Sequence, residues 1–130
     1  IRQKNISKGG FKFASAQFLD KTLRHIERMP QNSFDEIVEK YVEMNVAHPF
    51  MEGNGRSTRI WLDMMLKQSL KRCVDWSKIN KNDYMRAMEK SAVSSETLNN
   101  LLKNALTDEI NSREMYMKGI DYSYYYEDNE

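Results

Sequence analysis

The chain has 130 residues, twenty Lys and Arg against nineteen Asp and Glu, a formal charge of +1, and one cysteine. That length suits a single domain burying roughly two thirds of its unfolded surface, while a lone Cys73 and two histidines, His25 and His48, exclude a disulfide scaffold and a four-ligand zinc site. A near-zero charge gives no field to steer the chain onto nucleic acid or an anionic membrane, and the longest apolar stretch, Ile60 to Leu66, is broken by Asp63 and falls far short of the about 20 residues of a span.

With no paired thiols and no charged-then-apolar leader, the expected compartment is the reducing cytoplasm. The start at Ile1 rather than Met is read as that of a slightly longer chain. Few Gly and Pro interrupt the sequence, and apolar residues recur at spacings of three and four, the helix period. At the N-terminus, Gly9-Gly10 before Phe11-Lys12-Phe13 alternates as a short strand or hairpin would. Phe18, Leu19, Leu23 and Ile26 stripe a first helix that ends before Pro30. Ser33 with Glu36 forms a capping box for a second helix, whose core face is Phe34, Ile37, Val38, Tyr41 and Val42, and which stops near His48 because Pro49 follows.

Phe50 is expected in the core. From Arg56 to about Leu70, apolar residues surround a central helix on nearly every side, as for a helix buried among others. Later helices are predicted to start at Asn82, at Ser94 or Ser95, and at Thr107, the last stopping at Gly119. A tail from Asp121 to Asn129 has Asp121 as N-cap. The whole reads as one compact all-α unit.

Between positions 48 and 59 runs HPFMEGNGRSTR, placing a histidine, an acid, two glycines, an asparagine and two arginines where one helix ends and the next begins. Gly53 and Gly55 let successive backbone N–H groups converge at a helix N-terminus, where the dipole adds partial positive charge. Arg56 and Arg59, three apart on one face, add forked donors suited to a polyphosphate. Glu52 is out of place in so cationic a corner unless it holds a divalent cation such as Mg2+ against the phosphates. His48 has an ordinary pKa, about 6.5, suited to taking a proton from a nucleophile. Asn54-Gly55 alone is a common turn signal, and a lone His beside a Pro is often structural. A structural turn, however, needs neither the acid nor both arginines.

The segment resembles the signature of the Fic family, His-x-Phe-x-Asp/Glu-Gly-Asn-Gly-Arg-x-x-Arg, at every defining position. The resemblance implies a Fic-like helical bundle with a small N-terminal β-hairpin flap. It also implies a protein adenylyltransferase that moves AMP from ATP to a hydroxyl of a target protein. His48 would then be the base and Glu52 the Mg2+ ligand. Gly53, Asn54 and Gly55 would form the anion hole with a side-chain contact from Asn54, Arg56 would bind the β-phosphate and Arg59 the γ-phosphate. A phosphorylating branch of the family carries a lysine near the position of Gly55, so this loop favours nucleotidyl transfer. The base is not legible, and transfer of another phosphate-containing group, or a non-catalytic nucleotide-binding module, fits the same residues.

The tail resembles the family's inhibitory pattern, Ser/Thr-x-x-x-Glu-Gly/Asn-Asn, through Ser123, Glu127 and Asn129, with Asp128 departing from it. The resemblance divides the chain into a Fic core, 1–119, with a flap at 9–14 and the motif at 48–59, and a C-terminal inhibitory helix, 120–130. It places a target-docking edge at Phe11, Lys12 and Phe13. Tyr122, Tyr124, Tyr125 and Tyr126 lie in the same tail, with Tyr124 a candidate for self-modification, although at least two of the four are expected to pack on the core. Relatives with a terminal brake often self-associate into homo-oligomers, and some modify bacterial type II topoisomerases.

Overall fold

The computed structural model describes residues 1–8 and 10–126, and among them lie six α-helices and two short antiparallel ribbons. Strands β1 (Ser7–Lys8) and β2 (Phe11–Lys12) pair with Ser7 opposite Lys12 and Lys8 opposite Phe11. Their connection includes Gly10 at φ 82°, a left-handed value that glycine adopts without a Cβ clash. The N-terminal hairpin is therefore present, displaced toward residue 7 from its expected range.

After a 3-10 turn over Ala16–Phe18, α1 (Leu19–Arg28) ends at Met29, whose extended backbone, ψ 142°, is what the residue before Pro30 requires. α2 (Phe34–Ala47) opens on the predicted capping box: the Glu36 amide donates to Ser33 Oγ at 3.2 Å and the Ser33 amide to Glu36 Oε1 at 3.1 Å. Ser33→Ala is expected to cost about 1 kcal/mol and to lower the thermal midpoint by about 4 °C. An unchanged midpoint by circular dichroism would show that the box adds nothing to stability.

α3 (Asn54–Leu70) is one-sided rather than buried all round. Asn54, Thr58, Leu62, Met65 and Leu66 lie on its inner face, whereas Ile60 and Met64 project outward, each 61% exposed. The reason is that α2 covers one flank closely while the other faces only a loosely seated final helix. α4 (Lys81–Ser91) is capped by Asn80, not Asn82: the Asn80 side chain accepts from the Asn82 and Asp83 amides at 2.8 and 3.2 Å, just after buried Ile79 anchors the chain. α5 (Glu96–Lys103) starts after Ser95, as predicted.

Two corrections concern the C-terminal third. β3 (Cys73–Val74) pairs with β4 (Leu106–Thr107), so Thr107 is a strand residue and not a helix cap. The last helix, α6 (Arg113–Tyr125), is capped by Ser112, whose Oγ accepts from the Met115 amide at 3.2 Å, and runs unbroken through Gly119 and Asp121. Neither residue stops or starts a helix, and the expected 119/120 boundary falls inside α6. A Cβ at Gly119 would lie 3.9 Å from Trp76 Cδ1, an ordinary contact, so the helix accepts the position without strain.

The main core joins Ile37, Val38 and Tyr41 of α2 to Leu62 and Leu66 of α3, Leu98 and Leu102 of α5, and Tyr126, all fully buried. A second cluster of Leu19, Ile26 and Ala47 ties α1 to the end of α2. Because α2 and α3 share one core, the loop between them is held at both ends. No described helix is long and apolar enough to cross a membrane.

Candidate active site

α2 ends at His48, whose backbone is left-handed at φ 48°, ψ 64° and whose amide closes the helix on the Met44 carbonyl at 3.0 Å. A residue with a Cβ holds that conformation only where its surroundings impose it. Pro49 follows and is buried. The chain then turns on Asn54: its Nδ2 donates to the Phe50 carbonyl at 2.6 Å, and its Oδ1 accepts from the Phe50 amide at 2.8 Å. This pair fixes the loop through the backbone of Phe50, while the Phe50 ring is 42% exposed and not in the core as expected. The Asn54 side chain thus engages one donor and one acceptor site within the loop, and its second Nδ2–H is not used there.

Gly53 caps α3 in the left-handed region at φ 76°, and no side chain caps the helix. The first turn of α3 thus presents amides, with the positive end of the helix dipole behind them, at the place the spacing predicted for an anion nest. Gly55 is the second residue of the helix. A Cβ on Gly53 would meet Arg56 Nη2 at 3.4 Å and would be strained at that φ. Glu52 is exposed in the bend before Gly53. Among the described residues no cluster of three or more His, Cys, Asp or Glu could grip a metal alone.

The two arginines diverge. The Arg56 guanidinium lies over the Tyr124 ring, 5.3 Å from its centroid. Arg59 is 3% exposed and turned toward α6: its Nη2 donates to the Ser123 carbonyl at 2.9 Å and to Ser123 Oγ at 3.3 Å, and its Nη1 to the Tyr84 hydroxyl at 3.4 Å. The rings of Tyr84 and Tyr126 flank it at 5.7 and 5.4 Å. Those tyrosines are fixed in turn. Tyr84 shares a 2.6 Å hydrogen bond with Tyr41, and the Tyr126 hydroxyl lies 2.7 and 2.8 Å from the Trp76 and Ile79 carbonyls, donating to one at a time. Burial above all pushes the Tyr41 and Tyr126 phenols up, so both stay neutral.

The His48 imidazole stacks on Phe13 at 3.8 Å and 14°, so the residue after β2 lies against that ring. Burial, then the charges of Arg2 and Lys8, lower its pKa to about 4, with the Asn45 carbonyl acting in the opposite sense. Its Nδ1 is buried without a hydrogen-bond partner among the described residues. The imidazole is therefore neutral at physiological pH and able to accept a proton.

The structure thus brings His48, Glu52, Gly53, Asn54, Gly55 and Arg56 to one corner, sets Arg59 one turn further along α3, and lays Ser123 and Tyr124 of α6 over the two arginines. Glu127 and Asn129 lie outside the described residues. Of the tail tyrosines, Tyr126 is fully buried and Tyr122 packs on the core, whereas Tyr124 and Tyr125 are exposed. Two of the four pack inward, as expected. Arg2, Tyr84 and Trp76 are site-forming residues that sequence reasoning missed.

The model of the Fic/DOC family matches residues 1–66, half of the chain, from the N-terminal strand through the corner and most of α3. The chain belongs to the Fic/DOC family. Among curated relatives, this Fic chain is similar to protein adenylyltransferase VbhT of Bartonella schoenbuchensis, 28% identical over 101 residues that cover 75% of this chain and 21% of that protein. It thus spans about a fifth of that relative's length. Among solved structures, the Fic chain is similar to the BepC protein, a VirB-translocated Bartonella effector from Bartonella tribocorum crystallised with bound AMPPNP. The TM-score is 0.69 at 20% identity, covering 82% of this chain and 57% of that one, and supports the fold.

Proposed function

We propose that this chain transfers AMP from ATP to a hydroxyl of a target protein and that α6 restrains the reaction. The observation that carries this reading is the corner, a neutral imidazole at the end of α2 beside an uncapped helix N-terminus bearing two arginines. The name of VbhT and the nucleotide analogue on BepC support it. The amides at Gly53–Arg56 would receive the α-phosphate, with Arg56 and Arg59 on the β- and γ-phosphates. His48 takes the proton of the attacking hydroxyl as its oxygen bonds to the α-phosphorus. The bond to the α–β bridging oxygen breaks, and pyrophosphate leaves with that electron pair. Mg2+ fits the residues present, since it ordinarily takes one protein carboxylate together with substrate phosphates and Glu52 is exposed beside the nest. The ion would neutralise charge on the departing pyrophosphate.

Restraint follows from the state of Arg59. A guanidinium held by Ser123 between two tyrosine rings is not available to a γ-phosphate, so ATP would bind with its α-phosphorus out of line. α6 is also suited to being displaced. Within it only Met115 and Ser123 are buried, and a cavity of about 450 Å3 lies beneath it against Ile60, Met64 and Trp76. Tyr124, 57% exposed beside Arg56, is the candidate acceptor for self-modification. A target strand would add to the exposed hairpin at Phe11 and Lys12, with Phe13 leading to the base.

The test is incubation with Mg2+ and ATP labelled on either the α- or the γ-phosphate, with and without a cell lysate. Protein-bound α-label without γ-label is the expected result. Bound γ-label would instead indicate phosphoryl transfer, and nucleotide binding with neither label in both the parent and Glu127→Gly would indicate a binding module.

A further inference from the structure

Arg2, the second residue of the chain, is 4% exposed, and all of its described hydrogen bonds end on backbone carbonyls around the corner. Nε donates to the His48 carbonyl at 2.6 Å, Nη2 to Ala47 at 2.9 Å and Ala14 at 2.5 Å, and Nη1 to Lys4 at 2.8 Å. Its own amide donates to the Pro49 carbonyl at 2.8 Å, and beside it the Ala14 amide donates to Val46 at 3.0 Å. One planar guanidinium thus ties three segments together: the N-terminal segment before β1, the chain leaving β2 just after Phe13, and the last carbonyls of α2. Those carbonyls are the orphan, negative end of the helix, where a cation is favoured.

We propose that Arg2 is a positioning residue for His48, fixing its left-handed backbone and its stack against Phe13 in one register. The inference rests on the reading of His48 as the base. Arg2 touches no reacting atom and acts through the main chain on either side of the imidazole. The groups that bear on that ring are Arg2 from the segment before β1, Lys8 of β1, Phe13 after β2 and the Asn45 carbonyl of α2. Both cations oppose protonation, so Arg2 supplies two things at once, a fork and a charge. A lysine keeps the charge and loses the fork, because its single ammonium cannot reach four carbonyls in that plane. A methionine loses both.

The chain's two histidines allow the test, since protein labelled with 13C at the imidazole Cε1 gives two resonances and His25→Asn assigns them. In Arg2→Met the His48 midpoint is expected to rise by about one pH unit through loss of the charge. In Arg2→Lys the midpoint stays low, but the resonance broadens or doubles because the turn is no longer fixed. In both variants α-label transfer at saturating ATP is expected to fall about 100-fold, the scale of an ångström's misplacement, with ATP affinity unchanged. Melting curves of each variant set the temperature at which it is folded. A lower melting point with the His48 titration, line shape and turnover of the parent would overturn the proposal. The spectroscopic arm needs no activity: absence of transfer in both the parent and Glu127→Gly would remove the proposed reaction, whereas an unaltered His48 signal in both variants would remove the role of Arg2.

Discussion

Replacing His48 by Ala is expected to lower AMP transfer by about 10²- to 10⁴-fold, the usual contribution of a positioned general base, while ATP affinity holds. The two quantities separate because the groups proposed to bind phosphate stand on α3, whereas the imidazole sits at the end of α2 against Phe13. Incorporation of α-label and equilibrium dialysis on the same preparation measure them independently. Full transfer by the variant would mean that another group takes the proton. The pH dependence follows from the same ring. An imidazole kept neutral down to about 4 places the acid limb of kcat/KM near pH 4 rather than near 6.5. In the unfolded chain it binds a proton at about 6.5, so between these values the unfolded state holds more protons and stability falls as pH drops through that window. Denaturant melts at pH 7 and pH 5 should show a smaller loss for His48→Ala than for the parent.

Glu127→Gly is expected to raise transfer by tenfold or more. Each factor of ten corresponds to about 1.4 kcal/mol in the barrier, within the range of a desolvated arginine–carboxylate interaction. Glu127 lies outside the described residues, and the expectation rests on the tail resemblance together with the arrangement before it. Four positions earlier, Ser123 engages Arg59, and Tyr126 stands against the same guanidinium. The fully buried Tyr126 remains in this variant, so the core contact of the tail is kept and the thermal midpoint should hold. Equal transfer by parent and variant would remove the inhibitory role of Glu127. A rise accompanied by a large drop in midpoint would point to general loosening rather than release of Arg59.

What could be read before folding was whatever is local in the chain. The capping box on Ser33 and Glu36, the break at Pro30 and the end of α2 at Pro49 involve neighbours a few residues apart, and each stands where predicted. The corner was legible for the same reason: a nest, its acid and its two arginines lie within twelve consecutive residues. Features that depend on distant partners were not. β3 and β4 are two residues each, too short to carry a period. Gly119 has the composition of a helix stop, yet α6 runs unbroken through it to Tyr125.

The sequence by itself determined the helical class, the join between α2 and α3, and the set of groups collected there, because helix periodicity, proline and glycine act through local sterics and the motif is contiguous. Tertiary structure decided the state of those groups. Arg2 meets His48 across 46 positions and Arg59 meets Ser123 across 64, and these encounters decide that the turn is locked and that one arginine faces α6, while burial above all, then Arg2 and Lys8, keeps the imidazole neutral. Protonation and orientation depend on burial and on charges brought close in space, and spacing along a chain does not encode either.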